Sequence, residues 1–155
     1  MLALAPARAA LDANGVALGG TEAQVRKAFP SAHCKALEWA SRAADRRCDD
    51  AKIAFGGVEA RITFYLKKDA VQAFDVLFDS RDLDRLMAFL KNRYGKPAAE
   101  GKDAVWKEGK VAREYYKARW ENGAERAVLV SQVDKKRAQL TVSRGDFEEE
   151  IYRVR

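Results

Sequence analysis

Apolar and polar residues alternate strictly along the stretch Val58–Lys67, the clearest strand pattern in the chain. The apolar set is Val58, Ala60, Ile62, Phe64 and Leu66, and the intervening set is Glu59, Arg61, Thr63, Tyr65 and Lys67. Because successive side chains point to opposite faces of a strand, the pattern predicts one buried and one solvated face. A turn at Lys68-Asp69 leads into residues 70–78, so the two segments predict a hairpin.

Two helices are predicted, each with a start and a stop signal. The first begins at Thr21, which forms a capping box with Gln24, and ends at Pro30. The second begins at residue 80 or 82 and ends at Gly95. Its apolar residues recur at helical spacing: Leu83, Leu86, Met87, Leu90 and Tyr94. Further strands are predicted at residues 51–55, 104–107, 111–120, 124–133 and 137–143, and short helices at 36–44 and 146–152.

This order of elements predicts an α+β fold made of two tandem repeats, residues 15–79 and 80–155. Each repeat would be a helix followed by antiparallel strands, with the helices packed on one face of the sheet. Superposing the halves places Gly56 on Gly109 and Val58 on Val111. We expect a single domain whose core includes Ile62, Phe64, Leu66, Phe74, Val76, Leu86, Met87 and Leu90.

The first residues differ in composition from the rest of the chain. Residues 2–11 are rich in alanine and leucine, and Ala7-Arg8-Ala9 has the small-x-small pattern of a signal-peptidase site. The alternative is an alanine-rich frayed terminus. We interpret residues 1–14 as a flexible remnant of a signal peptide, which predicts a soluble protein exported to the periplasm. The sequence has no apolar run of 18 residues, so no membrane span is expected.

The two cysteines, Cys34 and Cys48, fit export if they are bonded to each other. They would close a loop of about 15 residues, worth about 3 kcal/mol in the chain-entropy model. Two free thiols, or a metal site that also uses His33, are the alternatives. Neither cysteine has the Cys-x-x-Cys spacing of a zinc site, so the sequence favours the disulfide.

A family resemblance points to the same compartment. The stretch from Gly15 to Thr21, followed by Val25 and Phe29-Pro30, resembles the helical opening of small bacterial envelope proteins. These are the outer-membrane-assembly lipoproteins of the SmpA/OmlA type and the tandem-repeat β-lactamase inhibitory protein. Residues 93–97 are similar to the helix ending of their second unit. The resemblance implies a small periplasmic α+β protein. Lipid anchoring does not carry over, because no cysteine lies near residue 10, and no inhibitory residue carries over either.

Composition and charge leave the partner open. The chain has 155 residues, 48% hydrophobic and 34% charged, with a net charge of +6, which favours anionic partners. The charges are scattered, as on an ordinary solvated surface, so nucleic acid is not the expected partner. The alternative function is nevertheless a small cytoplasmic basic protein that binds nucleic acid or another polyanion.

Candidate catalytic groups are few. His33 is the one histidine, and it adjoins Cys34. The carboxylates lie in polar stretches where ordinary ionisation is expected. Gly19-Gly20-Thr21 opens a helix but lacks the lysine of a phosphate-binding loop. We therefore expect no enzyme activity, no cofactor and no metal.

The candidate binding surface consists of basic and aromatic residues at two-residue spacing. The first set is Arg61, Tyr65 and Lys67, and the second is Arg113, Tyr115, Lys117 and Arg119. Exposed aromatics beside arginine are favoured at protein interfaces, although a solvated sheet face could carry the same residues. The sequence thus predicts a non-enzymatic periplasmic binding or interaction protein that contacts an envelope protein or an anionic ligand.

Overall fold

The computed structural model describes residues 10–153, which form one antiparallel sheet with helices on both of its faces. The strands are β1 (His33–Ala36), β2 (Arg46–Phe55), β3 (Val58–Lys67), β4 (Ala70–Asp79), β5 (Ala99–Lys107), β6 (Lys110–Asn122), β7 (Glu125–Gln132) and β8 (Arg137–Arg144). The helices are α1 (Glu22–Ala28), α2 (Leu83–Tyr94) and α3 (Phe147–Glu150), and a 3₁₀ turn at Ser80–Asp82 precedes α2.

Two runs of consecutive strands meet in the middle of the sheet, in the order β1-β2-β3-β4-β8-β7-β6-β5. The central pair is β4 and β8, in which Phe74 lies opposite Val142 and Val76 opposite Leu140. Backbone hydrogen bonds therefore continue from one half of the chain into the other. The edges of the sheet are β1 and β5.

One side of the sheet, which we call the core face, carries Phe64, Phe74 and Leu140. The predicted core residues are all buried there or on α2, so that prediction is confirmed. The ring of Phe29, after α1, lies 5.4 Å from the ring of Phe64. The ring of Tyr94 on α2 lies 5.9 Å from that of Trp120. Both longer helices thus pack on the core face.

The helix signals are confirmed at the start of α1 and at the end of α2, whereas Asp82, before α2, makes no side-chain capping hydrogen bond. Thr21 and Gln24 form both hydrogen bonds of the capping box at the start of α1. At the end of α2, Gly95 has a φ of 91°, a value that favours glycine, and its N–H donates to the carbonyl of Lys91 over 3.1 Å. Among the described residues, no helix is both long and apolar enough to cross a bilayer.

The segment before α1 is tied to the end of α2. Arg93 donates two hydrogen bonds to the buried carboxylate of Asp12, over 2.9 and 2.6 Å. The hydroxyl of Tyr94 donates to the Asp12 carbonyl over 2.6 Å, and Leu11 and Ala13 are buried. Residues 11–13 are thus packed, although the sequence analysis included them in a flexible segment. Residues 1–9 of the predicted signal remnant lie outside the described part.

The opposite side, which we call the outer face, is covered at one end by α3 and by residues 37–45. The ring of Phe147 lies 5.4 Å from that of Tyr65. The indole N–H of Trp39 donates to the Ile151 carbonyl over 2.9 Å, and its ring stacks on Tyr152 at 5.9 Å. These contacts hold the C-terminal segment against the sheet.

The predicted fold class is wrong. We expected an α+β fold of two tandem helix-plus-strand repeats with all helices on one face of the sheet. The structure is instead mainly one eight-stranded sheet, with 51% strand and 18% helix in three short helices among the described residues. Because β4 pairs with β8, neither half has a core of its own. The apolar side chains of Phe147 and Ile151 place α3 on the outer face, and residues 37–45 form a loop rather than a helix.

Candidate binding face

The outer face brings together side chains from five central strands, because alternate residues of each strand point to it. In sheet order they are Arg61, Thr63, Tyr65 and Lys67 on β3; Ala73, Asp75 and Leu77 on β4; Gln139, Thr141 and Ser143 on β8; Val128, Val130 and Gln132 on β7; and Arg113, Tyr115, Lys117 and Arg119 on β6. All seven predicted binding-surface residues therefore lie on the same side of one sheet.

The two predicted sets are nevertheless apart. Strands β4, β8 and β7 lie between β3 and β6, which makes four inter-strand steps. At about 4.8 Å per step, the sets are about 19 Å apart. They form two separate regions rather than one continuous surface.

The set on β3 is largely used within the protein. Tyr65 packs on Phe147 and carries the guanidinium of Arg47 5.8 Å from its ring centroid. Burial raises the pKa of the Tyr65 hydroxyl. The ammonium of Lys67 donates to the carbonyl of Arg42. Of this set, only Arg61 is fully exposed.

The set on β6 is accessible. Arg113, Lys117 and Arg119 are exposed, and Tyr115 is half-buried with the Lys117 Nζ 5.2 Å from its ring centroid. A lysine lying over a tyrosine ring is a cation–π contact that leaves both groups open to a partner. Arg119 also pairs with Glu121 over 3.3 Å.

Two exposed apolar residues lie on the other side of β5 and β6. Residues 110–113 of β6 run past the end of β7 and pair with β5, so the two strands project as a ribbon. Trp106 and Val111 lie opposite each other on this ribbon, 66% and 42% exposed. The register shifts between Val105 and Trp106, because β6 has one extra residue there, so these two side chains lie on the side of the ribbon opposite to Val105 and Arg113. We call the residues Trp106, Val111, Arg113, Tyr115, Lys117 and Arg119 the basic ribbon.

Beside the ribbon lies a cleft of about 290 Å³ that the sequence analysis missed. Its floor is formed by β4, β8 and β7 and its wall by α3 and the residues that follow it. We call it the acidic cleft; its lining is Tyr65, Asp75, Val128, Val130, Gln139, Thr141, Phe147, Glu148, Ile151 and Tyr152.

Asp75 is the unusual group in this cleft. Burial raises the pKa of its carboxyl, and hydrogen bonds with Thr141 and Gln139 offset the rise only in part. Glu148 on α3 adds a second negative charge, which acts in the same direction as burial. A polar residue within the apolar alternation of residues 70–78 is the sequence signal that could have drawn attention to it.

The predicted disulfide is confirmed. Cys34 on β1 and Cys48 on β2 are directly opposite in the register, and their sulfurs are bonded. The carboxylate of Glu22 lies close to both sulfurs, but bonded sulfurs are not available as thiolate ligands. A structural disulfide is typical of an oxidising compartment. His33 lies exposed on the edge strand, opposite Asp49.

Comparison with known proteins adds little. No protein-family model matches the chain, and no curated protein matches it. The chain is similar to a solved structure, a DUF4309 family protein, YjgB, from Bacillus subtilis subsp. subtilis str. 168. The identity is 10% and the TM-score 0.38, over 81% of this chain and 78% of that one. At that score, neither fold nor function can be argued from the likeness.

Proposed function

We propose that the protein is a non-enzymatic periplasmic binding protein that contacts an envelope protein or an anionic ligand through the basic ribbon. One observation carries the proposal: exposed basic residues follow one side of β6, and an exposed tryptophan stands on the other side, where β5 and β6 project beyond the sheet. Trp106 is 66% exposed, yet burying such a ring is worth several kcal/mol. A partner would supply that burial.

The charge of the ribbon supports an anionic contact. Arg113, Lys117 and Arg119 lie on one side of β6, with Tyr115 between the first two, so their charges add along a line of about 20 Å. Tryptophan and arginine are the residue types that most often dominate binding energy at interfaces. The basic row would bind the anionic groups of the partner, and Trp106 would give an apolar contact to a partner that extends around the end of the projecting strands.

The disulfide supports export. Cytoplasmic thiols are normally kept reduced, so a cross-strand bond between Cys34 and Cys48 fits the periplasm better than the cytoplasm. The same point weighs against the second candidate function, a cytoplasmic protein that binds nucleic acid. The basic row is the feature that favours that candidate, and strongly salt-dependent retention on DNA would identify it.

The test is recovery of partners from a native envelope extract. The binding variant is Arg113→Glu/Lys117→Glu, and the matched control is Lys27→Glu/Arg85→Glu on α1 and α2, which changes the net charge by the same amount at exposed sites. We expect the binding variant to lose partners that the control and the wild-type protein retain. Equal recovery by all three proteins would contradict the proposal.

A further inference from the structure

We propose that the acidic cleft binds a small organic cation, a substituted ammonium compound, between the Asp75 carboxylate and the aromatic rings of Tyr65, Phe147 and Tyr152. The cleft and the basic ribbon share no residue, so this proposal does not depend on the proposed function.

The charge of the cleft is opposite to that of the protein. The chain carries a net +6, yet the cleft is lined by two acidic residues, Asp75 and Glu148, and the ten lining residues include no basic one. A local region of negative charge on a basic surface attracts cations and repels the anions that the rest of the surface favours.

The basic groups around the cleft form no ion pair with Asp75 or Glu148 among the described residues. Arg47 donates two hydrogen bonds to Asp49, over 2.8 and 2.7 Å, while its guanidinium lies 5.8 Å from the ring centroid of Tyr65. Lys117 and Arg119 lie next to Val130 and Val128 in the register, but Lys117 is placed over Tyr115 and Arg119 pairs with Glu121. The negative charge of Asp75 and Glu148 is therefore left for a ligand.

The aromatic rings supply the second element of a cation site. Tyr65 and Phe147 meet at 5.4 Å, and Tyr152 stands 77% exposed at the rim, supported by stacking on Trp39. The negative faces of aromatic rings attract ammonium groups, and quaternary ammonium ligands are commonly held among such rings. A volume of about 290 Å³ is close to the lower end of ligand pockets and suits a compound of a few heavy atoms.

The position of Asp75 links binding to pH. Burial disfavours its ionised form, and a bound cation would favour that form again. Cation affinity should therefore rise with pH through the titration of Asp75, and binding should release a proton. The other charged or titratable groups facing this carboxyl are Glu148 on α3, Arg47 on β2 and the hydroxyls of Tyr65 and Tyr152.

The experiment compares choline with its uncharged carbon isostere, 3,3-dimethyl-1-butanol, by titration calorimetry on the wild-type protein at pH 7 and pH 4. We expect choline to bind more tightly than the isostere by at least tenfold, and to bind more weakly at pH 4. The variant Asp75→Asn should lower choline affinity at least tenfold and remove most of the pH dependence.

Two further variants keep the test decisive. Tyr152→Ala changes an exposed residue, so it should fold normally and weaken choline binding several-fold through loss of one ring. Glu149→Gln, exposed on α3 and outside the lining, should leave the affinity unchanged. The ribbon variant Arg113→Glu/Lys117→Glu should also retain choline. Equal affinity for choline and the isostere, no binding of either at millimolar concentration, or unchanged binding in Asp75→Asn would each overturn the proposal.

Discussion

The basic side chains of the ribbon and the acidic cleft lie on the same face of one sheet, yet they differ in charge and in cover. The end of the ribbon projects beyond β7, and its basic side chains are open to solvent. The cleft lies where α3 and residues 37–45 pack on the sheet, so its acid and its rings are partly withdrawn from water. Exposure thus depends on which elements cover a strand, and not on the strand alone.

Tyr65 and Tyr115 show the difference most directly. Each precedes a lysine by two residues on an alternating strand. Tyr65 is covered by Phe147, whereas Tyr115 is in contact with the flexible side chain of Lys117. Tyr65, covered by α3, therefore contributes to the stability of the fold. Tyr115, in contact with a lysine side chain, remains available to a partner.

The largest effect should come from uncovering the cleft. Phe147→Ala removes a ring that is 8% exposed, and we expect a loss of about 3 kcal/mol in the free energy of unfolding. The pKa of the Tyr65 hydroxyl, which burial raises, should fall toward its ordinary value. Urea unfolding and ultraviolet titration of tyrosine would measure the two effects. A loss below about 0.5 kcal/mol would mean that α3 is not docked as described.

The disulfide should be nearly as important, because it secures the edge strand at the opposite end of the sheet from the ribbon. Cys34→Ser/Cys48→Ser should lower the free energy of unfolding by about 3 kcal/mol. Its presence is checked independently by the intact mass of the native protein after alkylation under denaturing, non-reducing conditions. Two alkylated cysteines would contradict the structure at this edge.

Asp75 should give a smaller effect, and its sign depends on pH. Its folded pKa is raised, so its contribution to stability is fully present below the unfolded value of about 3.9 and is lost as pH rises through the folded pKa. Asp75→Asn should therefore be more stable than the wild-type protein at pH 7, and the gain should shrink below about pH 4. Urea unfolding at both pH values tests this. If Asp75→Asn is less stable than the wild-type protein at pH 7, burial does not raise the pKa of the Asp75 carboxyl as described.

The ribbon should show the smallest effect on stability. Trp106→Ala deletes a larger ring than Phe147→Ala, but from an exposed position, so we expect a change within about 0.5 kcal/mol. A loss comparable to that of Phe147→Ala would mean that Trp106 is packed within the protein. The expected difference in the free energy of unfolding between Trp106→Ala and Phe147→Ala would then be absent.

Periodicity in the sequence predicted the local elements and the faces of the strands. The alternation along β3 placed Phe64 in the core and Tyr65 on the other side, and the spacing of Leu86 and Leu90 identified the buried side of α2. These features depend on residues a few positions apart. The disulfide could be predicted as well, because its two cysteines are near each other in the sequence.

Features that depend on distant partners were not predicted. The start of β5 carries the polar sequence Ala-Glu-Gly-Lys-Asp and forms a strand because it pairs with β6. Asp12 is ordered by Arg93, 81 residues away. The acidic cleft combines β3, β4, β8, β7 and α3, and no local pattern brings these elements together.

The most direct test of the account is a pair of nuclear magnetic resonance titrations of the same isotope-labelled protein, one with choline and one with a hexaglutamate peptide. Choline should shift the signals of Asp75, Val128, Val130 and Thr141 and leave those of Arg113 and Tyr115 unchanged. Hexaglutamate should do the reverse, because its carboxylates suit the basic ribbon. If both ligands shift the same residues, or if neither shifts its own set, the two regions are not the separate sites described.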